Sequence, residues 1–175
     1  MKPILSTSII TSLLTVLCLS ANAAVSVGER IIEYHGLKRG VVAMVGIDWD
    51  LALQMVKASE VLLHVRAQDP TAVYRFRQQA AAAGFGIDRI VVESGSTANL
   101  PYADNTVDLL IVPGKAGPNR TEILRVLSPE GHALIRGGSM PQTSEWKAPD
   151  GSVWRSLKKP PLAAADDWSH WEKSA

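Results

Sequence analysis

Polar residues able to contact a ligand follow three of the apolar runs in this sequence. Gly46, Asp48 and Asp50 come directly after the first run, Asp69 follows the second run, and Ser96 follows the third. In a doubly wound α/β sheet, ligands bind in the crevice outside the carboxyl ends of the strands. Carboxylate and hydroxyl oxygens can accept hydrogen bonds, so the side chains of Asp48, Asp50, Asp69 and Ser96 are chemically able to contact a polar ligand there.

No other set of residues has the sequence spacing of a catalytic or metal site. His, Cys, Asp and Glu do not recur at metal-ligand spacing, and no serine has the pattern of a hydrolase nucleophile. The four histidines are far apart in the sequence. We interpret His64 as a strand residue, His132 as the polar start of a strand and His35 as a residue at a helix end. His170 lies between two tryptophans and is a candidate for contact with another domain.

Alternating strands and helices must position these residues. Five apolar runs have strand length, and helix-compatible segments separate several of them. The runs are residues 41–45, 61–65, 90–92, 107–112 and 133–135. Asp48 is placed to cap one helix, and Pro70 opens another where its missing N–H costs nothing. A further helix is predicted before the first strand, with Tyr34 among its packing residues. The alternation predicts an α/β fold, a Rossmann-like three-layer sandwich with a mostly parallel sheet.

A more specific pattern lies in the second half of the predicted domain. Residues 100–110 read Leu-Pro-Tyr-Ala-Asp-Asn-Thr-Val-Asp-Leu-Leu, and residues 122–131 read Glu-Ile-Leu-Arg-Val-Leu-Ser-Pro-Glu-Gly. We interpret them as a turn, a strand and a helix that Pro129 and Gly131 bring to an end. The two motifs resemble the second half of class I S-adenosylmethionine (SAM)-dependent methyltransferases of the type-11 kind, and the resemblance extends over roughly residues 27–136.

The resemblance implies a SAM site with three parts. A glycine-rich loop after the first strand lets the backbone approach the methionine part of SAM. An acid at the end of the second strand accepts hydrogen bonds from the ribose hydroxyls, and an acid after the third strand accepts from the adenine amine. SAM is accordingly the cofactor that the resemblance implies for an active protein.

The sequence departs from all three parts of that site. Its loop has a single glycine, Gly46, followed by the bulky Ile47 and Trp49. Ala67 falls at the ribose position, with Asp69 two residues later, and Ser96 replaces the adenine acid. Each lost polar contact costs about 1–3 kcal/mol. We therefore expect that SAM binding has been lost.

The N-terminal residues 1–23 have the pattern of a secretory signal peptide. Lys2 precedes an apolar stretch, which ends at the cleavage-site pattern Ala21-Asn22-Ala23; an uncleaved anchor is the alternative. The single cysteine, Cys18, lies inside this segment, so the mature chain would contain no thiol. The net charge of +1 gives no reason to expect nucleic acid as a partner. We expect a periplasmic or secreted protein that is free of the membrane after cleavage.

The character of the sequence changes after residue 137. Residues 24–137 are the predicted methyltransferase-like domain, and residues 138–175 are predicted to form a hairpin and an irregular tail rich in Trp and Pro. Pro149-Asp150-Gly151 has the composition of a hairpin turn, with Trp146 and Trp154 on its two arms. In the family, an antiparallel pair closes the sheet edge at this place.

The tryptophans of the segment Trp146–Trp171 allow two interpretations. They either form a contact surface or fold back over the sheet edge. The last residues of the chain resemble the junction in secreted bacterial proteins where a methyltransferase-like domain precedes a PQQ-binding-like β-propeller. The resemblance therefore implies a propeller domain or protein as the partner of this tail.

Three functions are compatible with the sequence. The first is an exported methyltransferase-like domain that has lost SAM binding and serves as a structural or interaction module. The second is an active SAM-dependent methyltransferase of unknown acceptor, which uses Asp48 or Asp50 together with Asp69 in unusual roles. The third is a protein that binds another small ligand in the same crevice.

Overall fold

The computed structural model describes residues 25–114, 116–137 and 140–162 of the chain. The predicted signal peptide and the C-terminal residues with Trp168, His170 and Trp171 lie outside the described residues. The helices and strands of the described part are α1 Val27–Tyr34, β1 Val41–Val45, α2 Trp49–Ala58, β2 Leu62–Ala67, α3 Pro70–Ala82, β3 Ile90–Ser94, β4 Val107–Val112, α4 Arg120–Val126, β5 Leu127–Arg136, β6 Ser144–Lys147 and β7 Val153–Lys158. None of these helices has the length and apolar character needed to span a bilayer.

The strands form one sheet of seven in the order β3-β2-β1-β4-β5-β7-β6. The first five strands of this order run parallel, and β7 is antiparallel to both β5 and β6. The predicted α/β fold and mostly parallel sheet are confirmed, and so is the hairpin that closes the sheet edge. The strand order reverses between β1 and β4, and the resulting crevice is where a doubly wound sheet binds its ligands.

Helices cover both faces of the sheet because the central strands are apolar on both sides. Val42 and Met44 of β1 face the layer of α1, α2 and α3, whereas Ala43 and Val45 face the layer of α4. All four side chains are fully buried. The burial of a continuous apolar run on both faces is what allowed β1 to be predicted with its observed bounds.

The two tryptophans of the hairpin fold back onto the domain. Trp154 is 0% exposed and Trp146 is 8% exposed, and both belong to the apolar cluster beneath α1, α2 and α3. Of the two interpretations given above, packing over the sheet edge is therefore the correct one for these residues. Tyr34 was predicted to pack, but it is 61% exposed and meets the domain mainly through its ring contacts with Trp146 and His35.

The segment after α4 was predicted to be a turn that ends the helix, but the structure shows a strand there. The helix ends at Val126 and passes directly into β5, so the Ser-Pro-Glu-Gly stretch lies within a strand. Glu130, not Gly131, takes the left-handed conformation, with φ of 65°. Gly131 is required for a different reason, since a Cβ there would lie 2.8 Å from the carbonyl oxygen of Ser128. The register between β4 and β5 shifts in the same region.

The Glu122–Arg125 pair of α4 fixes the turn that precedes β4. Arg125 donates to both carboxylate oxygens of Glu122 at 2.8 Å and to the carbonyl oxygens of Leu100 and Tyr102. Glu122 in turn accepts the backbone N–H of Leu100 at 2.7 Å. These contacts give the two sequence motifs of residues 100–110 and 122–131 a structural role in joining the turn to the helix.

Candidate functional site

Gly46 forms the turn at the carboxyl end of β1. Its φ of 114° is strained for residues with a side chain, and its N–H donates to the carbonyl oxygen of Arg66 at 2.8 Å. A Cβ at this position would lie 3.5 Å from the ring of Pro113, which follows β4. The loops after β1 and β4 are therefore close together at the switch point of the sheet.

Asp48 has two hydrogen-bond partners inside the protein. As predicted, it caps α2, where its Oδ1 accepts the N–H of Leu51 at 3.1 Å. Its Oδ2 lies 3.2 Å from Nη2 of Arg136, the last residue of β5. The carboxylate is thus shared between a helix cap and an ion pair.

Arg136 spans the crevice from β5 to the loop after β1. Its Nε donates to the carbonyl oxygen of Pro113 at 2.8 Å, so the side chain crosses the end of β4 on its way to Asp48. The guanidinium carbon lies 5.3 Å from the ring centroid of Trp154. Sequence reasoning missed Arg136, because nothing in the spacing of residues pairs the end of one strand with a loop so distant in the chain.

Asp50 lies beside Asp48 at the edge of a small polar cavity. The cavity has a volume of about 140 Å³ and is lined by Val27, Asp48, Asp50, Leu51, Gln54, Arg136, Asp150 and Trp154. Pockets for organic ligands usually have volumes of about 300–1,000 Å³. Three carboxylates and one guanidinium therefore line a cavity whose volume is smaller than that of such pockets.

Asp69 lies beyond the end of β2 and caps α3. Its Oδ1 accepts the N–H of Thr71 at 2.9 Å. The strand itself ends at Ala67, whose side chain is buried and whose carbonyl oxygen accepts the N–H of Gly95 at 2.8 Å. β2 therefore ends two residues before Asp69.

Ser96 is used by its own loop. Its hydroxyl oxygen accepts the N–H groups of Ala98 at 3.2 Å and Asn99 at 3.1 Å. The charged group next to Ser96 is the guanidinium of Arg66. It donates to the carbonyl oxygen of Ser96 and to the carboxylate of Glu93. The ends of β2 and β3 thus present an ion pair to the crevice edge.

Trp49 does not crowd the loop in the way that its position in the sequence suggested. Its indole packs edge-on against the ring of Phe76 in α3, with 5.0 Å between the ring centroids. Ile47 is exposed. The contacts that span the switch point come instead from Arg136 and Pro113.

The five predicted site residues are therefore brought together only in part. Asp48 and Asp50 line one cavity, next to the turn at Gly46. Asp69 and Ser96 lie at the ends of the neighbouring strands, and each accepts hydrogen bonds from the backbone of its own segment.

No protein-family model and no curated protein matches the sequence. Solved structures, however, match the fold. One from Methanococcus maripaludis, assigned as an S-adenosyl-L-methionine-dependent methyltransferase, is 18% identical, with a TM-score of 0.67 over 78% of this chain and 85% of that one. An RNA methyltransferase from Salinibacter ruber in complex with S-adenosyl-L-homocysteine is 18% identical, with a TM-score of 0.60 over 80% and 94%. A SAM-dependent O-methyltransferase from Thermotoga maritima is 10% identical, with a TM-score of 0.61 over 78% and 65%.

The fold is that of the class I SAM-dependent methyltransferases. Two observations support this fold: the strand order with its antiparallel seventh strand, and the similarity to these solved structures. At such low identity the similarity extends to the fold alone, so the question of SAM depends on the residues of this chain.

β2 ends at a residue whose side chain cannot accept a hydrogen bond. This residue is the buried Ala67, which follows Arg66, the ion-pair partner of Glu93. Asp48, Asp69 and Ser96 already accept hydrogen bonds from the protein itself.

Proposed function

We propose that this chain is an exported module with a methyltransferase fold that does not bind SAM and that serves as a structural or interaction module. The end of β2 carries the proposal, because Ala67 offers no acceptor to the ribose. A cofactor that lost two charge-assisted hydrogen bonds would bind more weakly by about 3–6 kcal/mol, at about 1.5–3 kcal/mol for each. That loss corresponds to a factor of more than one hundred in affinity.

The bridge from Arg136 to Asp48 supports the proposal in a second way. A ligand in the crevice would have to displace this side chain from Pro113, Asp48 and the face of Trp154. Since the Arg136 side chain is 43% exposed, the ion pair itself contributes only about 0–1 kcal/mol. The Arg136–Asp48 ion pair therefore disfavours SAM binding only weakly. The missing ribose acceptor at the end of β2 has the larger effect.

Titration of the purified chain with SAM tests the proposal. We expect no measurable heat of binding at millimolar SAM, with an established SAM-dependent methyltransferase as the positive control. Arg136→Ala is the informative variant. If the chain were an active methyltransferase in which Arg136 pairs with the carboxylate of SAM, this variant would bind SAM more weakly than the wild type. Micromolar binding by the wild-type chain, lost in Arg136→Ala, would contradict the proposal and favour an active methyltransferase.

The proposed export has its support in residues 1–23, with their positive start, apolar stretch and A-x-A end. An exported chain has little access to SAM, which is made in the cytoplasm, and this agrees with the loss of the ribose acceptor. Fractionation of bacteria that express the full chain with a C-terminal tag tests the export. We expect a shortened product in the periplasm or medium, and full-length protein confined to the cytoplasm would contradict it.

The proposed partner is a β-propeller domain or protein that contacts the tail of the chain. Because Trp146 and Trp154 are buried, the contact would use the remaining tryptophans of the tail, Trp168 and Trp171. The net charge of +1 gives no reason to expect nucleic acid in place of a protein partner.

A further inference from the structure

A second cavity lies at the opposite edge of the sheet, where the parallel strands begin. It has a volume of about 320 Å³. Its lining comes from the residues after α1, from the first residues of β4, from the first half of β5 and from the last residue of β7. Two histidines meet there: His35, which ends α1, and His132 of β5. Their ring centroids are 4.4 Å apart, and the ring planes make an angle of 45°.

Both histidines have a buried nitrogen without a partner. Within the described part of the chain, neither Nε2 of His35 nor Nδ1 of His132 makes a hydrogen bond. An imidazole nitrogen that is buried in this way loses its contact with water and gains nothing in return, which costs free energy. Two such nitrogens on rings that touch each other are therefore a feature that requires an explanation.

The carboxylates around the cavity are engaged elsewhere. Asp108 accepts the N–H of Val41 at 2.8 Å and the hydroxyl of Ser128 at 3.1 Å. Glu130 lies 3.4 Å from the ammonium group of Lys158. These contacts leave neither histidine hydrogen-bonded to a carboxylate, although the charge of Glu130 still acts weakly on His132.

The surroundings keep both imidazoles neutral. Burial, with a smaller effect of neighbouring His132, lowers the pKa of His35 to about 4. Burial, with a smaller effect of Lys158, also lowers the pKa of His132, and the carboxylate of Glu130 opposes this shift only in part. A neutral imidazole has one nitrogen with a free lone pair, and this is the form that binds a metal ion.

We propose that His35 and His132 form a two-imidazole binding site for a late first-row divalent cation, with Cu²⁺ bound most tightly. Nε2 of His35 and Nδ1 of His132 are the ligand atoms. Two neighbouring ligands at about 90° around a metal, each nitrogen about 2 Å from it, bring their ring centroids about 4.5 Å apart. The observed 4.4 Å agrees with this arrangement.

The cavity supplies room for the rest of the coordination shell. The described residues contain no cluster of three or more ligating side chains, so water would complete the shell. Imidazole nitrogen ligands suit Cu²⁺, Ni²⁺ and Zn²⁺, and their affinities for one site follow an order in which Cu²⁺ is highest. The site is independent of the proposed function, because it lies at the edge of the sheet opposite the crevice.

Titration of the full chain with CuCl₂ in a buffer that does not coordinate copper tests the proposal. We expect one site whose affinity for Cu²⁺ is weakened by about 10–100-fold or more in both His35→Ala and His132→Ala. His64→Ala is the control, because Nε2 of His64 lies 3.4 Å from the carboxylate of Glu93 and its ring contacts Tyr102, at 5.3 Å between ring centroids, and no second histidine. This variant should bind Cu²⁺ as the wild type does.

Electron paramagnetic resonance of the copper-loaded wild-type chain provides a test that needs no variant. We expect splitting from two equivalent imidazole nitrogens, and we expect it to disappear in both alanine variants, whose folding is checked by circular dichroism. Splitting that shows fewer than two imidazole nitrogens would overturn the proposal. So would equal affinity in the wild type, His35→Ala and His132→Ala.

Discussion

Trp154→Ala is expected to lower the free energy of unfolding by about 3–5 kcal/mol, which is the usual cost of truncating a buried aromatic residue. Trp154 is fully buried, and its indole N–H donates to the hydroxyl of Ser152 at 3.0 Å. Its ring also lies beneath the guanidinium of Arg136. The variant would open a cavity between the hairpin and the helix layer, and urea denaturation followed by circular dichroism measures the loss.

Val153→Ala is the matched control for this prediction. Val153 is the neighbouring residue on β7, but its side chain points away from the helix layer and is 41% exposed. We expect it to cost less than about 1 kcal/mol. If both variants unfold at the same urea concentration, the hairpin is not packed on the sheet as described.

Glu122→Ala is expected to cost about 2–3 kcal/mol at pH 7, because charge-assisted hydrogen bonds are worth about 1.5–3 kcal/mol. The variant leaves the guanidinium of Arg125 without its main partner and the N–H of Leu100 without an acceptor. The turn before β4 should loosen as a result. Urea denaturation measures the free energy, and hydrogen exchange at residues 100–106 should accelerate.

The effect of Glu122→Ala should depend on pH. Hydrogen bonds from Arg125 hold the pKa of Glu122 at about 2, below its ordinary value of 4.5. A carboxylate with a lowered pKa stabilises the fold above pH 4.5, and this contribution is lost as the pH falls towards 2. The difference between wild type and variant should therefore shrink over this range.

Glu145→Ala is the control for Glu122→Ala, since Glu145 forms an exposed pair with Arg155 at 3.7 Å. Such a pair contributes about 0–1 kcal/mol. An equal cost of the two substitutions at pH 7 would contradict the role assigned to the Glu122–Arg125 pair.

The fold was predictable from the sequence because its signals are local. The bounds of β1 and β4 follow from apolar runs of strand length, and Asp48 and Pro70 mark the starts of their helices. The helix does end before Pro129, as predicted, but residues 128–131 lie within β5 and not in a turn between the helix and the strand. The backbone had already left the helix at Val126 to pair with β4, and a strand pairing of this kind is not visible in local composition.

The candidate site was predictable only in its position. The order of strands and loops was enough to place Gly46, Asp48 and Asp50 beside the switch point. The pairing of Asp48 with Arg136 depends on the distance between a loop and the end of β5, which are separated by most of the domain in sequence. The contact between His35 and His132 was missed for the same reason.

Amide chemical shifts of the ¹⁵N-labelled chain, followed during titration with S-adenosyl-L-homocysteine, test whether the crevice has lost its affinity for the cofactor. This ligand has the ribose and adenine of SAM, so it needs the same acceptors at the ends of β2 and β3. Our account predicts that the amides of Gly46, Asp69 and Ser96 keep their positions up to millimolar ligand. Saturable shifts of these three amides at micromolar ligand would show that the crevice still holds the cofactor, and the account would be wrong.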